Sequence, residues 1–283
     1  MSEQIRLGVI AAGGKGERMY PVTKAVPKEL FPLGRIPVVG HIAREFLEAG
    51  ITEIIVVAGR HNVELIREIF TPRPIPPKLA DDLSVARFQK VLDDCTVRFI
   101  VQDGDYGNGT PLRLAVDEFG ISKCVYAFGD DVVVGGNATA GLLSTYHATG
   151  CTVMGCQSVP PERQSAFGIL ECEVQDGIQR IKRIFEKPAA GETASNLASF
   201  GRYVVTQSVI EGLAQVRPGK DGEIWFVDAI KAHIEGGGQP CAFQPAPGVW
   251  HTVGDPAGYA AAVQAVAEEE SRYISCSQMA VGR

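Results

Sequence analysis

The chain has no long hydrophobic run, no surplus of positive charge and no closely spaced cysteine pair, and each absence removes a class of protein. Its apolar stretches are strand-length, broken by glycine or charge well short of the ~20 residues a membrane helix needs. The start, Met1-Ser2-Glu3-Gln4, lacks the basic segment that opens a secretory signal. No membrane association is expected, and the expected location is cytoplasmic. A formal net charge of −6, with Lys and Arg nowhere clustered, argues against a nucleic-acid partner, because phosphate-backbone binding needs a basic face. The seven cysteines (Cys95, Cys124, Cys151, Cys156, Cys172, Cys241, Cys276) include no C-x-x-C, and several sit in apolar runs, so they read as buried, reduced thiols.

Two catalytic signatures are missing as well. There is no Gly-Lys-Ser/Thr, which excludes a P-loop, and no Ser-His-Asp or Cys-His arrangement. His41, His61, His147, His233 and His251 are isolated and read as structural or surface residues.

What is present is a core. With 283 residues, 45% of them hydrophobic, the chain can bury one large domain. Residues 5–12 and 53–58 read as strands, and 36–49 and 61–70 as helices, giving β-α-β-α order. Short, doubly apolar strands between helices imply a parallel sheet covered on both faces, with ligands gathered at the carboxyl ends of its strands. Residues 71–94, with four prolines and Asp81-Asp82, form an excursion from this pattern, a surface hairpin or a flap. A strand over 96–102, a glycine-bearing turn, a helix to about Glu118 and a strand over 123–128 follow. Beyond Cys151 the chain reads as strands with little helix between them, an antiparallel or mixed region. Helices resume over 207–214, 223–235 and 256–272, the last with a solvated acidic run, Glu268-Glu269-Glu270.

The first strand opens into Gly13-Gly14-Lys15-Gly16-Glu17-Arg18-Met19, followed by Pro27-Lys28-Glu29-Leu30. Glycines let backbone N–H groups close round phosphate oxygens, but a glycine loop alone equally marks a tight turn. Its coupling to Arg18 and Lys28, on a segment stiffened by Pro21 and Pro27, points to a polyphosphate. A dinucleotide fingerprint fits poorly: Met19 stands where the third glycine belongs, and Ala58-Gly59-Arg60 offers no acidic ribose ligand. Further on, Asp130-Asp131 emerges from the strand Val125-Tyr126-Ala127-Phe128 at the ligand edge of the sheet. Paired carboxylates there suit a Mg²⁺ that keeps most of its waters and takes phosphate oxygens, or else simply cap a turn.

From Ile10 to about Val263 the chain resembles the bacterial UTP–glucose-1-phosphate uridylyltransferases, within the sugar-1-phosphate nucleotidyltransferases. The resemblance rests on Ala12 to Leu30, then in order on Gln102 with Gly107-Asn108-Gly109, Gly129-Asp130-Asp131, Phe167-Gly168, Phe185-Glu186-Lys187-Pro188, Gly201-Arg202-Tyr203-Val204 and Gly222-Glu223-Ile224 with Val227-Asp228-Ala229-Ile230. It implies an α/β fold: a Rossmann-like, three-layer, mixed but mostly parallel sheet of the glycosyltransferase-A-like kind, with a small antiparallel sugar-binding region. It implies one nucleotidyltransferase domain over 1–283, with 1–150 mainly nucleotide-binding, 151–255 mainly sugar-phosphate-binding, and 256–283 a C-terminal helix and tail. The implied activity is transfer of UMP from UTP to glucose 1-phosphate with Mg²⁺ as cofactor, by a homo-oligomer whose partners are small-molecule substrates. The same chemistry on dTTP or another sugar 1-phosphate, or sugar-nucleotide binding without turnover, are the alternatives.

By resemblance, Ala11, Ala12, Gly13, Gly14 and Gly16 hold the nucleoside and its phosphates. Glu29, Gln102 and Gly107 contact the uridine part, and Arg18 and Lys28 bind the triphosphate. Asp130 is the implied metal ligand. Asp131, Gly168, Glu186 and Lys187 form the implied sugar-phosphate side, and Arg18, Lys28, Asp130 and Lys187 are the implied catalytic set. Three positions depart from the family pattern. Thr252 stands where an Asp that helps bind metal is usual, Thr110-Pro111 replaces His-Ala, and Trp225-Phe226-Val227 replaces Gln-Leu-Thr. A hydroxyl is a poor substitute for a carboxylate toward Mg²⁺.

Overall fold

Successive residues of the first strand, β1 (Leu7–Ala12), enter opposite cores: Val9 joins one cluster of buried side chains, Ile10 and Ala12 the other. The two-residue period of an extended chain dictates this alternation, and burial on both faces requires a cover on each. The structure is a computed structural model that describes residues 4–281 apart from 105, 220 and 221, and the backbone only over 273–281. After β1 come a small hairpin, β2 (Pro32–Leu33) and β3 (Ile36–Pro37), then α1 (Val38–Glu48), β4 (Glu53–Gly59), α2 (Val63–Ile69), α3 (Leu83–Asp94), β5 (Thr96–Gln102), α4 (Thr110–Phe119) and β6 (Cys124–Phe128). The second half carries β7 (Asp131–Val134), α5 (Ala138–Thr149), β8 (Val153–Ser158), β9 (Gly168–Gln175), β10 (Ile178–Glu186) and β11 (Leu197–Val205). It ends with α6 (Gln207–Gln215), α7 (Phe226–Glu235), β12 (Cys241–Phe243), β13 (Val249–Thr252) and α8 (Pro256–Val281).

The strands form one nine-stranded sheet in the order β5-β4-β1-β6-β11-β8-β12-β10-β9. β5, β4, β1 and β6 are parallel, while β11 runs antiparallel to both β6 and β8, so the antiparallel region continues the same sheet. Side chains of α1, α5 and α8 pack with Ile10, Val56 and Ala127 on one face, and those of α4, α6 and α7 with Val9, Val57 and Tyr126 on the other. A two-stranded ribbon of β7 and β13 stands apart from the sheet, with Asp131 opposite Thr252.

Several expectations are revised. Residues 71–94 are neither hairpin nor flap: the prolines end at Pro77, and α3 follows, its first turn capped by Asp82, whose Oδ1 accepts from Val85 N at 3.1 Å. Phe88 and Val91, one turn apart on α3, supply its inward face. Residues 223–225 precede α7 rather than belonging to it. The acidic run on α8 is not wholly solvated, since Glu270 accepts from Ser84 Oγ at 2.8 Å. Six cysteines are free thiols, three of them buried and three half-buried, whereas the Cys276 side chain lies outside the described residues. Among the described residues no helix is long and apolar enough to cross a membrane.

Candidate functional site

The strand order turns at β1: the chain proceeds from β1 to β4 and β5 on one side, and β6 pairs on the other. A crevice outside the carboxyl ends of β1 and β6 is where such a sheet accepts ligands. There the glycine loop leaves β1 and Gly129-Asp130-Asp131 leaves β6. The two exits are tied by Gly129 N donating to Ala11 O at 2.8 Å. The approach is so close that a Cβ at position 129 would lie 2.7 Å from that carbonyl oxygen, which only glycine avoids.

Two clefts meet at this crevice. The first, of about 300 Å³, is lined by Ala11, Gly13, Gly14, Lys28, Glu29, Gln102, Tyr106, Gly107, Asn108 and Asp130, with Trp225 at its edge. The second, of about 220 Å³, is lined by Arg18, Asp130, Asp131, Gly168, Glu186 and Lys187 together with Trp225, Trp250 and Thr252. Asp130 belongs to both. The structure therefore gathers the expected nucleotide residues on one side and the expected sugar-phosphate residues on the other, with two exceptions. Ala12 alternates away from Ala11 into the core, where its carbonyl accepts from Asn62 Nδ2 at 2.8 Å. Gly16 turns under Thr23, whose Oγ1 donates to Gly16 O at 2.9 Å. Arg18 lies on the wall of the second cleft rather than the first. Its Nη2 and Asp130 Oδ2 converge on Gly254, where a Cβ would meet them at 2.7 and 2.9 Å.

The electrostatics centre on Asp130, which pairs with Lys28. Burial pushes the Asp130 carboxyl up, but the Lys28 ammonium, with Arg18 behind it, outweighs burial and holds it below the usual carboxylate range. Burial likewise pulls Lys28 down, and Asp130 and Glu29 overcome it, leaving the ammonium more basic than usual. Asp131 is different: Gly201 N at 2.7 Å and Trp250 Nε1 at 2.8 Å donate to its two carboxyl oxygens. Burial and the neighbouring Asp130 charge raise it to about 6. Its carboxylate is committed to holding β11 and β13 against β7, while its edge faces the second cleft. Glu29 is buried with neither carboxyl oxygen hydrogen-bonded among the described residues, and burial pushes it up to about 8 against the pull of Lys28. Near neutrality it is a neutral acid, able to donate one hydrogen bond and accept another.

Some lining residues were not anticipated. Tyr106 and Asn108 flank Gly107, and Trp225 precedes α7. Gly107 has φ +114°, and a Cβ there would lie 2.3 Å from Ile224 O, so residues 106–109 pack directly on 223–226. The glycine turn signalled this loop, but nothing local signalled its partner. Thr110 is buried and its Oγ1 donates to Tyr106 O at 3.3 Å, so it fastens the loop, while Pro111 lines the first cleft.

The nucleotidyl transferase family model matches residues 7–269, nearly the whole of this architecture. The chain belongs to that family. It is 32% identical over 236 residues to the UTP–glucose-1-phosphate uridylyltransferase of Staphylococcus haemolyticus, covering 81% of each chain. It is 29% identical over 240 residues to the enzyme of the same name from Pseudomonas aeruginosa, covering 82% of this chain and 86% of that one. Among solved structures, a UDP-glucose pyrophosphorylase complexed with UDP-glucose superposes with a TM-score of 0.84 at 25% identity, over 94% of this chain and 99% of the other.

Proposed function

We propose that this nucleotidyltransferase transfers UMP from UTP to glucose 1-phosphate, giving UDP-glucose and pyrophosphate. The observation that carries the reading is the sharing of Asp130 by two adjoining clefts, one opening at the glycine loop, where its partner Lys28 stands, and one at Glu186-Lys187. The relatives that bear this activity by name cover most of the chain. In this reading the first cleft takes the nucleotide and the second the sugar phosphate; residues 1–150 mainly form the first and residues 151–255 mainly the second, with Trp225 crossing into the first and Arg18, Asp130 and Asp131 into the second. The proposal includes a cytoplasmic location and, by family resemblance, assembly into a homo-oligomer.

A sugar 1-phosphate is already anionic at neutral pH, so no residue has to remove a proton. One of its phosphate oxygens attacks the α-phosphorus of UTP. The new P–O bond forms as the bond to the β-phosphate oxygen breaks, and pyrophosphate departs with that electron pair. The barrier is the repulsion of like charges and the alignment of two molecules. Lys28 sits beside the glycine loop, a Cβ on Gly14 lying 3.3 Å from its Nζ, and it offsets phosphate charge there. Arg18 acts across the junction, and Lys187 meets the incoming sugar phosphate. Glu29, as a neutral acid, offers the nucleoside both a donor and an acceptor. Preorganised charges of this kind contribute about 3 kcal/mol each to the transition state.

The donor set fits Mg²⁺ as an ion held by one carboxylate. Among the described residues the Asp130 carboxylate has no hydrogen-bond partner besides Lys28, and it stands at the junction, with Thr252 lining the same cleft. Among the described residues no three His, Cys, Asp or Glu side chains are grouped to hold a metal. Asp130 would hold the ion, with phosphate oxygens and water completing its shell. The ion would supply positive charge to the reacting phosphates.

The test is pyrophosphate release from UTP, dTTP, CTP, ATP and GTP against a panel of sugar 1-phosphates. UTP with glucose 1-phosphate is the expected best pair, and silence with every pair would sink the reading.

A further inference from the structure

Lys187 has two unusual features. Its φ is +48°, a left-handed conformation that non-glycine residues rarely adopt and that costs on the order of 1 kcal/mol. Its ammonium also stands over the ring of Trp225, 5.3 Å from the centroid. Among the described residues it forms no salt bridge, although the carboxyl of Glu186, its neighbour in sequence, feels its charge from a longer distance. A backbone bond from Lys187 N to Phe167 O, 3.1 Å, fixes the turn from which the side chain departs.

Trp225 is itself held from the other cleft. Ile224 N donates to Tyr106 O and Gly109 N to Ile224 O, both at 2.8 Å, and Phe226 N donates to Asn108 Oδ1, also at 2.8 Å. Three bonds thus fasten the tryptophan to the loop that lines the first cleft, and its indole borders both. A carboxylate partner would hold Lys187 just as well but would neutralise it. An aromatic face attracts a cation through its quadrupole and leaves the full positive charge available to an anion.

We propose that Trp225 is a positioning residue for Lys187: its indole face holds the unneutralised ammonium where the phosphate of the sugar substrate arrives. The inference rests on the reading of Lys187 as the sugar-phosphate ligand. It gives a role to one of the positions that depart from the family pattern, and it makes the loop at 106–109 a support for both clefts.

The experiment is a double-mutant cycle of W225L and K187A, read on the KM for glucose 1-phosphate and for UTP, and separately on glucose 1-phosphate binding by calorimetry. Leucine keeps an apolar side chain and removes the quadrupole. W225L is expected to raise the KM for glucose 1-phosphate about five-fold in the wild-type background and less than about two-fold when Lys187 is already alanine. W225F, which retains an aromatic face, should recover most of the difference. Thermal melts of each variant separate this from loss of fold, and if W225L lowers Tm, W225F against W225M replaces it. Equal factors in both backgrounds, or failure of glucose 1-phosphate to bind, would overturn the inference. Coupling seen in binding without turnover by the wild-type protein would leave the inference standing and remove the enzymatic reading instead.

Discussion

Arg202 and Glu45 form a buried ion pair behind the site, Nε to Oε1 at 3.0 Å and Nη2 to Oε2 at 3.1 Å, and the same guanidinium donates to Asp131 O at 3.0 Å. Glu45 Oε1 also accepts from the backbone N and the Oγ1 of Thr139, at 2.9 and 2.6 Å. The network thereby joins α1, α5 and β11 to the first residue of β7, one position after Asp130. A pair so placed is poor evidence of net stabilisation, but removing one member strands a buried charge.

Arg202→Met should therefore lower stability by about 3 to 5 kcal/mol, and Glu45→Gln by somewhat less, because the amide still accepts from Thr139. Combined, the two substitutions should cost clearly less than the sum of the singles. Chemical denaturation of the four proteins checks this; strict additivity would mean that the pair is not energetically coupled.

Lys28 and Asp130 are each other's partner in a largely buried setting, with side chains 14% and 16% exposed. Lys28→Ala and Asp130→Ala are each expected to lower kcat/KM for UTP and glucose 1-phosphate by about 10²- to 10³-fold, that is ~3 to 4 kcal/mol of transition-state stabilisation. Steady-state kinetics on variants whose melting curves remain cooperative are the measurement. A loss under ten-fold for either would move the chemistry away from this junction.

Local pattern was enough for β1 and β4 and for the arrival of Asp130 at the end of β6, because doubly buried parallel strands read as continuous apolar runs. The glycine loop with Arg18 and Lys28 was legible as a phosphate site from local residues, whereas Gln102, the last residue of β5, joined the same cleft only through the family resemblance. What stayed hidden depends on partners distant in sequence. α3 follows a run of prolines that masks it in sequence, and it reaches the core mainly through Phe88, Val91 and Leu92. Ala12 falls on the wrong side of β1 by simple alternation. The commitment of Asp131 to Gly201 and Trp250 spans 70 and 119 residues, and no local signal carries it.

Glu29 has a pH signature of its own. Burial raises its folded pKa to about 8, well above the ordinary carboxylate range, so the folded state keeps a proton that the unfolded state releases. Its contribution to stability is full below the unfolded value and is lost as pH rises through the folded one. Between about pH 5 and 8.5 the wild-type protein should lose stability, by about 2 kcal/mol at the upper end after allowance for relaxation of the site. Glu29→Gln is nearly isosteric and does not titrate, so its Tm should fall less over the same range. Parallel Tm–pH curves for the two proteins would show that Glu29 is charged in the folded state.

Thr252 lies opposite Asp131 in the β7–β13 ribbon, and Val253 N donates to Asp130 O at 2.7 Å, so the position is rigidly set beside the Asp130 carboxylate. A one-carboxylate site binds a hard cation weakly until phosphate oxygens join it, because affinity follows the number of charged ligands. The wild-type protein without nucleotide should therefore take up Mn²⁺, a spectroscopic stand-in for Mg²⁺, only weakly. Thr252→Asp adds a second carboxylate on the same wall and should raise that affinity about ten-fold or more. The like charge of Asp130 and the pull of Arg18 on both carboxylates work against the gain, so it should be larger in the Arg18→Ala background. Titration of the free Mn²⁺ signal by electron paramagnetic resonance, with no nucleotide present, reads the effect directly. An unchanged affinity in Thr252→Asp would mean that the metal approaches Asp130 from the other side, through the first cleft.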